Sequence, residues 1–268
     1  MSPDPSLGSL QDVLGGLGRV VVAFSGGADS AFLARVAHDT LGAERTLVAT
    51  AISPSLAPAE EADCRALAEE WGLRWLGVPT DEMDDPAYVA NGLDRCARCK
   101  GALMAALAPL AEAETATVVL GVNLDDLGEE RPGQAAAAAL GARFPLVDAG
   151  FDKAAIRGWS RRLGLRTWDK PAAACLSSRV AYGTPVTLGT LRSVAEAESA
   201  LASMGFATLR VRHHGNLARI EVEPGRLAEV VARREEVIAA VKGAGYVYVT
   251  LDLGGFRSGS MNEALGTR

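Results

Sequence analysis

Short, β-branched apolar runs alternate along the first part of the chain with longer stretches whose apolar residues recur every three or four positions. Val20-Val21-Val22-Ala23-Phe24 is apolar throughout and reads as a strand buried on both faces. Thr46–Ile52 reads as a second buried strand, and Leu73–Val78 and Thr117–Gly121 as two more strands. Ser9–Leu17 reads as an entry helix, and further helical patterns run through Ala31–Leu41, Pro58–Trp71 and from just after Lys100 to about Ala113. On the helix opened by Pro58, the residues Cys64, Leu67, Ala68 and Trp71 share one face, which makes Cys64 a core residue. Strands and helices in alternation predict an α/β fold with a doubly wound parallel sheet and right-handed crossovers. In such sheets ligands bind at the carboxyl ends of the strands.

The later part of the chain reads differently. Gln134–Leu140 and Lys153–Leu163 are helical, but Trp168–Arg179 has no period. After Tyr182-Gly183-Thr184-Pro185 a separate, smaller α+β module is expected. It comprises a helix over Leu188–Met204, strands over Ala207–Arg212 and Leu217–Glu223, a helix over Arg226–Lys242 and a strand over Tyr246–Leu251. His213-His214-Gly215-Asn216 is expected to be the hairpin turn between its first two strands. The boundary falls between Trp168 and Thr187, so the expected domains are 1–175 and 176–268.

Composition narrows the class. The chain has 268 residues, 49% of them hydrophobic, without a low-complexity tract, so a globular and ordered protein is expected. No apolar run reaches membrane-spanning length, and Met1–Gly8 has neither a basic nor an apolar signal region. Four cysteines, two of them in one close pair, do not make a secreted disulfide framework, which points to a cytoplasmic protein. Net charge is −6, unevenly spread: residues 1–150 carry −12 and residues 151–268 carry +6. The basic part is the expected grip for an anionic substrate. Few lysines and only 5% aromatic residues speak against a nucleic-acid platform.

Three passages carry candidate chemistry. Ser25-Gly26-Gly27-Ala28-Asp29-Ser30 sits between the first strand and a helix start, where glycines and free helix N–H groups build an anion cradle. It lacks the glycine-lysine-Ser/Thr ending of a Walker A loop and instead resembles the PP-loop of the ATP pyrophosphatases. That resemblance implies cleavage of ATP to AMP and pyrophosphate. Asp125 and Asp126, after the strand ending at Gly121, are either magnesium ligands or helix-capping residues. Cys96-Ala97-Arg98-Cys99 admits several readings. A zinc knuckle lacks a second pair, and a thioredoxin-like dithiol lacks its setting. With Cys175, the pair could also hold a four-iron four-sulfur cluster with one iron open.

Cys175 alone reads as a nucleophile, its thiolate favoured by Arg179 and by Arg210 or Arg212 if these approach. Arg210 and Arg212 alternate along one strand and point the same way, as do Glu221 and Glu223 on the next. Both a phosphate or carboxylate site and simple cross-strand ion pairs fit that pattern.

Taken together, these passages resemble the LarE family, ATP-dependent sulfur transferases that make the nickel-pincer nucleotide cofactor. The resemblance rests on Phe24–Ser30, Arg95–Lys100, Gly121–Asp126, Arg131-Pro132-Gly133, Pro171–Arg179, Arg210–His213, Ala218–Val222 and Asp252–Asn262. It implies a PP-loop, adenine nucleotide alpha hydrolase-like domain. ATP would be bound at Ala23, Phe24, Ser25, Gly26, Gly27, Asp29, Ser30, Gly121 and Asp125, with Mg2+ assisting. The implied substrate is pyridinium biscarboxylic acid mononucleotide, bound by Ser177, Ser178, Arg179, Arg210 and Arg212. Glu198 and Glu221 match acidic positions near the reaction centre, beside catalytic Cys175, Arg210 and Arg212. Sulfur comes sacrificially from the matching cysteine in some members. In others it comes through a 4Fe-4S cluster on three cysteines, here Cys96, Cys99 and Cys175, which the presence of all three favours. A homo-oligomer is implied, with no nucleic-acid or membrane partner. The rival readings are another PP-loop adenylating enzyme, such as a tRNA thiolase or an AMP-forming amide synthetase, and a non-catalytic sulfur or cluster carrier.

Overall fold

The computed structural model describes residues 5–127, 132–171, 174–257 and 260–261. Arg131, Ala172, Ala173, Ser258, Gly259 and Asn262, all within the family-like segments, lie outside the described residues, as do Gly128–Glu130. The chain divides into two compact units. One comprises Met1–Glu82 with Asp94–Ala173, the other Met83–Leu93 with Ala174–Arg268.

The first unit is a three-layer α/β body. Its elements in chain order are α1 (Leu7–Leu17), β1 (Val20–Ala23), α2 (Ala28–Leu41), β2 (Thr46–Ile52), α3 (Pro58–Trp71) and β3 (Arg74–Pro79). After the short α4 (Pro86–Val89), which belongs to the other unit, come α5 (Arg95–Glu114), β4 (Thr117–Leu120), α6 (Leu124–Leu127), α7 (Pro132–Ala139), α8 (Pro145–Asp148) and α9 (Lys153–Arg162). The four strands are all parallel, in the order β3-β2-β1-β4. Pleating explains why β1, β2 and β4, buried from both sides, read as largely apolar runs. Val20, Val22, Val48 and Val119 enter a core with residues of α1, α2, α3 and α9. Val21, Leu47, Ala49, Val118 and Leu120 enter another, on residues of α5 and α7. The doubly wound expectation holds, and Cys64 is buried in the first of these cores.

The second unit packs α10 (Leu188–Ser203), α11 (Leu227–Ala232) and α12 (Arg234–Gly243) with a three-stranded sheet. In that sheet β5 (Leu209–His214) runs antiparallel to β6 (Leu217–Val222), and β7 (Tyr248–Leu251) lies parallel on the far side of β6. Three local expectations change here. His213 and His214 continue β5 rather than forming the turn, because Gly215 alone supplies the positive φ (+63°) needed for a tight reversal. Glu223 lies beyond the end of β6 and is exposed, so it is not paired with Glu221 along the strand. The helix expected over Arg226–Lys242 is two helices, broken at Arg233 (φ −100°, ψ 24°), whose guanidinium donates to the Met204 carbonyl at 2.8 Å.

Candidate active site

The glycine loop stands at the carboxyl end of β1, a central strand, where a parallel sheet presents its ligand edge. Its shape follows from its residues. Gly26 adopts φ +65°, and a β-carbon there would stand 2.9 Å from the Cys64 sulfur, so only glycine fits. Ser30 folds back over the loop: its hydroxyl accepts the Ser25 N–H at 3.2 Å and lies 3.0 Å from the Ser25 hydroxyl. Behind them Thr50 donates to the Phe24 carbonyl at 2.7 Å, and Phe24 N–H donates to Ala49 at 2.8 Å. Gly27 starts α2 without a side-chain cap, leaving the first-turn N–H groups for an anion. Gly121, at the end of β4, is needed for the same reason of space. A β-carbon there would meet the Ser30 backbone nitrogen at 2.8 Å.

Beside the loop, β4 runs into Asn123 and α6. The Asn123 carboxamide oxygen accepts the N–H groups of Asp125 and Asp126, at 3.0 and 3.3 Å, while Asp126 accepts the Asn123 N–H at 3.2 Å. Asp125 reaches α9, accepting the N–H of Lys153 at 2.9 Å. Both acidic residues therefore carry the capping geometry expected as one of two readings. Asp29, on the first turn of α2, faces this group. Burial pushes its carboxyl above the usual range and the Asp126 charge adds to that, against the pull of Lys153, Arg157 and the Asn123 amide. Asp29 Oδ1 and Asn123 Nδ2 are buried without hydrogen-bond partners among the described residues. Asn123, Lys153 and Arg157 carry no signal for this site in the sequence, because only the fold brings 29, 123–126 and 153–157 together.

Cys96 and Cys99 lie within the first two turns of α5 rather than ahead of it, three residues apart and so on one face. Cys96 is exposed and Cys99 partly so. Gly133 of α7 backs this turn, since a β-carbon there would come within 3.0 Å of the Cys96 carbonyl oxygen. Among the described residues, no three His, Cys, Asp or Glu side chains form a metal-ligand group.

In the second unit, Cys175 precedes a single 3-10 turn, Leu176–Arg179. Its residue is exposed while its carbonyl is held three ways, by the Ser178 N–H (3.0 Å), the Ser178 hydroxyl (2.7 Å) and Arg179 Nη1 (3.1 Å). Arg179 is buried and bidentate to Glu198, with Nε–Oε1 at 3.0 Å and Nη2–Oε2 at 3.1 Å. Glu198 also accepts the Val211 N–H at 2.9 Å. Ser177 is fully buried, 2.7 Å from the Tyr88 hydroxyl. Asn91, in the left-handed region (φ 58°), donates to the carbonyls of Ala181 and Thr184, at 2.8 and 2.9 Å. Tyr88 and Asn91 thus shape the turn that follows Cys175, although nothing in the irregular stretch around them signals it.

Arg210 and Arg212 diverge in their surroundings. Arg212 is buried against Glu221 (3.1 and 2.9 Å) and also donates to the Ser260 hydroxyl at 2.9 Å and the Ser178 carbonyl at 3.3 Å. Glu221, fully buried, further accepts from Ser260 at 2.7 Å and Arg219 at 3.1 Å. The ion-pair reading therefore describes Arg212 and Glu221. Arg210 is less buried, with its guanidinium 5.1 Å from the centre of the Phe256 ring.

A parallel sheet whose central strand ends in this glycine cradle defines an α/β protein of the PP-loop class. No family model matches the chain. It is 42% identical over 265 residues to an uncharacterised protein of Synechocystis, covering 98% of each chain. It is 38% identical over 250 residues to the pyridinium-3,5-bisthiocarboxylic acid mononucleotide synthase of Lactiplantibacillus plantarum, covering 93% of this chain and 91% of that one. An uncharacterised protein of Methanocaldococcus jannaschii is 27% identical over 241 residues, covering 90% of this chain and 91% of its own. The chain belongs to the LarE family, that of the Lactiplantibacillus synthase. Among the described residues no helix is long and apolar enough to cross a membrane.

Proposed function

We propose that this protein is an ATP-dependent sulfur transferase that converts the carboxylates of pyridinium biscarboxylic acid mononucleotide to thiocarboxylates. The observation that carries the reading is near full-length similarity to a named synthase in a chain that also has a glycine anion cradle and an exposed Cys175. A substrate carboxylate oxygen attacks the α-phosphorus of ATP, and pyrophosphate leaves. The loop Ser25–Ser30 and the start of α2 hold the phosphates through backbone N–H groups. Lys153 and Arg157, whose charges reach Asp29, add positive potential on that side. Asp29 and Asp126 fit Mg2+, which takes one or two carboxylates and shares the rest of its shell with phosphate oxygens and water. The unpartnered Oδ1 of Asp29 supports that assignment. Mg2+ would neutralise charge on the departing pyrophosphate.

The acyl adenylate is then attacked by sulfur at its carbonyl carbon, and AMP leaves. In the sacrificial route the Cys175 thiolate makes this bond, forming a thioester. Loss of the Cys175 Cα proton and cleavage of its Cβ–S bond leave the thiocarboxylate on the substrate and dehydroalanine in the chain. The threefold hold on the Cys175 carbonyl keeps its backbone in place while the thiol stays open. Arg210, the less buried of the two strand arginines, is the choice for a substrate anion, with Arg212, Glu198 and Glu221 organising the strand and segment around it. In the alternative route, Cys96, Cys99 and Cys175 would hold a 4Fe-4S cluster, for which thiolates are the right donors. That cluster would supply an iron without a protein ligand, able to carry sulfide.

Incubation with ATP, Mg2+ and the biscarboxylate nucleotide tests the transfer. AMP release with a mass gain in the nucleotide is expected, and neither appearing would sink the proposal. The sulfur source is read from iron content after anaerobic purification, in wild type and Cys96→Ala, and from the mass of the Cys175 peptide after turnover. Iron lost in Cys96→Ala supports the cluster route; a Cys175 lighter by hydrogen sulfide establishes the sacrificial one.

A further inference from the structure

Lys170 follows α9 in a stretch with no regular period, and its ammonium is mostly buried, with 19% of the side chain exposed. It places three bonds on three acceptors: Glu60 Oε2 at 2.8 Å, Asp63 Oδ2 at 2.7 Å and the carbonyl oxygen of Gly26 at 3.2 Å. An ammonium has three protons, so its donor capacity is filled. Two of the bonds are an ordinary link to α3. The third reaches the first glycine of the anion loop.

That bond has a geometric consequence. In a planar trans peptide the carbonyl of one residue and the N–H of the next point in opposite directions. Holding the Gly26 carbonyl on the α3 side turns the Gly27 N–H away from α3, toward the mouth of the loop. The back of the loop has no room to relax otherwise, because Cys64 and Leu67 of α3 fill the space where a Gly26 side chain would lie. Gly26, lacking a β-carbon and sitting at φ +65°, has freedom that a second restraint must remove.

We infer that Lys170 is a positioning residue for phosphate binding, setting the Gly26–Gly27 peptide so that its N–H faces the pyrophosphate end of the nucleotide. The inference rests on the ATP reading above. It does not make Lys170 a ligand of the phosphates, since its protons are directed elsewhere. Arg166 supports the arrangement from the far side, donating to Asp63 Oδ1 at 2.7 Å and Glu70 at 2.9 Å, and so holds Asp63 in place.

The test compares binding of inorganic pyrophosphate and of AMP, each with Mg2+, by titration calorimetry in wild type, Lys170→Met and Asp63→Asn, with melting temperatures measured alongside. Lys170→Met is expected to weaken pyrophosphate binding at least tenfold while AMP binding changes less than threefold. Asp63→Asn, which keeps the ammonium on Gly26, is expected to lower the melting temperature with pyrophosphate affinity within threefold of wild type. Unchanged pyrophosphate affinity in Lys170→Met, or equal loss of both ligands, overturns the inference and leaves the ATP reading standing. If Lys170→Met does not fold, Lys170→Arg carries the test. Its planar fork can keep the carboxylates but not the compact three-way geometry, so wild-type pyrophosphate affinity there overturns the inference. A wild type that binds neither ligand overturns the ATP reading, and this inference falls with it.

Discussion

Arg179 and Glu198 face each other through two parallel bonds of 3.0 and 3.1 Å, and each also holds a backbone group. Arg179 reaches the Cys175 carbonyl, and Glu198 takes the Val211 N–H. One ion pair thereby ties the Cys175 turn to α10 and β5. Removing one partner of a buried pair strands the other, at about 3–5 kcal/mol. Glu198→Ala is expected to lower unfolding stability by an amount in that range in urea titrations. A loss below about 1 kcal/mol would show the pair to behave as a screened surface contact.

Gly121 is held by space rather than by backbone angle. Alanine there places a methyl group 2.8 Å from the Ser30 nitrogen, a contact with backbone that cannot swing aside. Gly121→Ala is expected to cost about 1–3 kcal/mol, the usual range for overpacking. It should also weaken ATP by at least about tenfold, since about 1.4 kcal/mol of loop distortion suffices for that. Calorimetric titration of ATP checks it, and wild-type affinity would contradict the packing account.

The cysteines should separate sharply in reactivity. Cys64 is fully buried, and burial pushes its thiol up to about 11. At pH 8 about one molecule in a thousand would carry that thiolate, the reactive form. Cys96 and Cys175 are exposed. In native protein freed of metal, iodoacetamide is expected to label Cys96 and Cys175 within minutes and Cys64 only after denaturation, as read by peptide mass. Early labelling of Cys64 would mean that α3 does not seal the back of the loop.

Asp63 sets an acid limit. Burial alone would raise its carboxyl, but hydrogen bonds from Lys170 and Arg166 outweigh that and hold it below its ordinary 3.8. A carboxyl depressed in the folded state contributes its full stability above the unfolded value and loses it as pH falls through the folded value. Wild type is therefore expected to lose melting temperature more steeply than Asp63→Asn below about pH 4. Parallel curves for the two proteins would rule out a contribution from this carboxylate.

Elements with a strong local period were legible with close bounds. Thr46–Ile52 and Pro58–Trp71 occur as read, because burial of one face or both leaves its mark on every second or every third to fourth residue. His213–His214 differs from its expected turn because the cue for a turn is compositional, while its strand state depends on pairing with Ala218 and Leu217 of β6. Asp125 and Asp126 could be read as ligands or caps, since the partner of Asp125 lies 28 residues on, at Lys153.

What the chain alone determined was the order of strands and helices and the glycine loop between β1 and α2, since both are properties of neighbouring residues. Which charge meets which was decided only by the tertiary structure. From sequence Arg179 fits an anion grip and Arg212 fits either an anion grip or an ion pair, and in the fold both are buried on carboxylates; Lys170 shows no motif at all, yet it gathers positions 26, 60 and 63. Ion pairing depends on distance and desolvation in three dimensions. No period along the chain records either quantity.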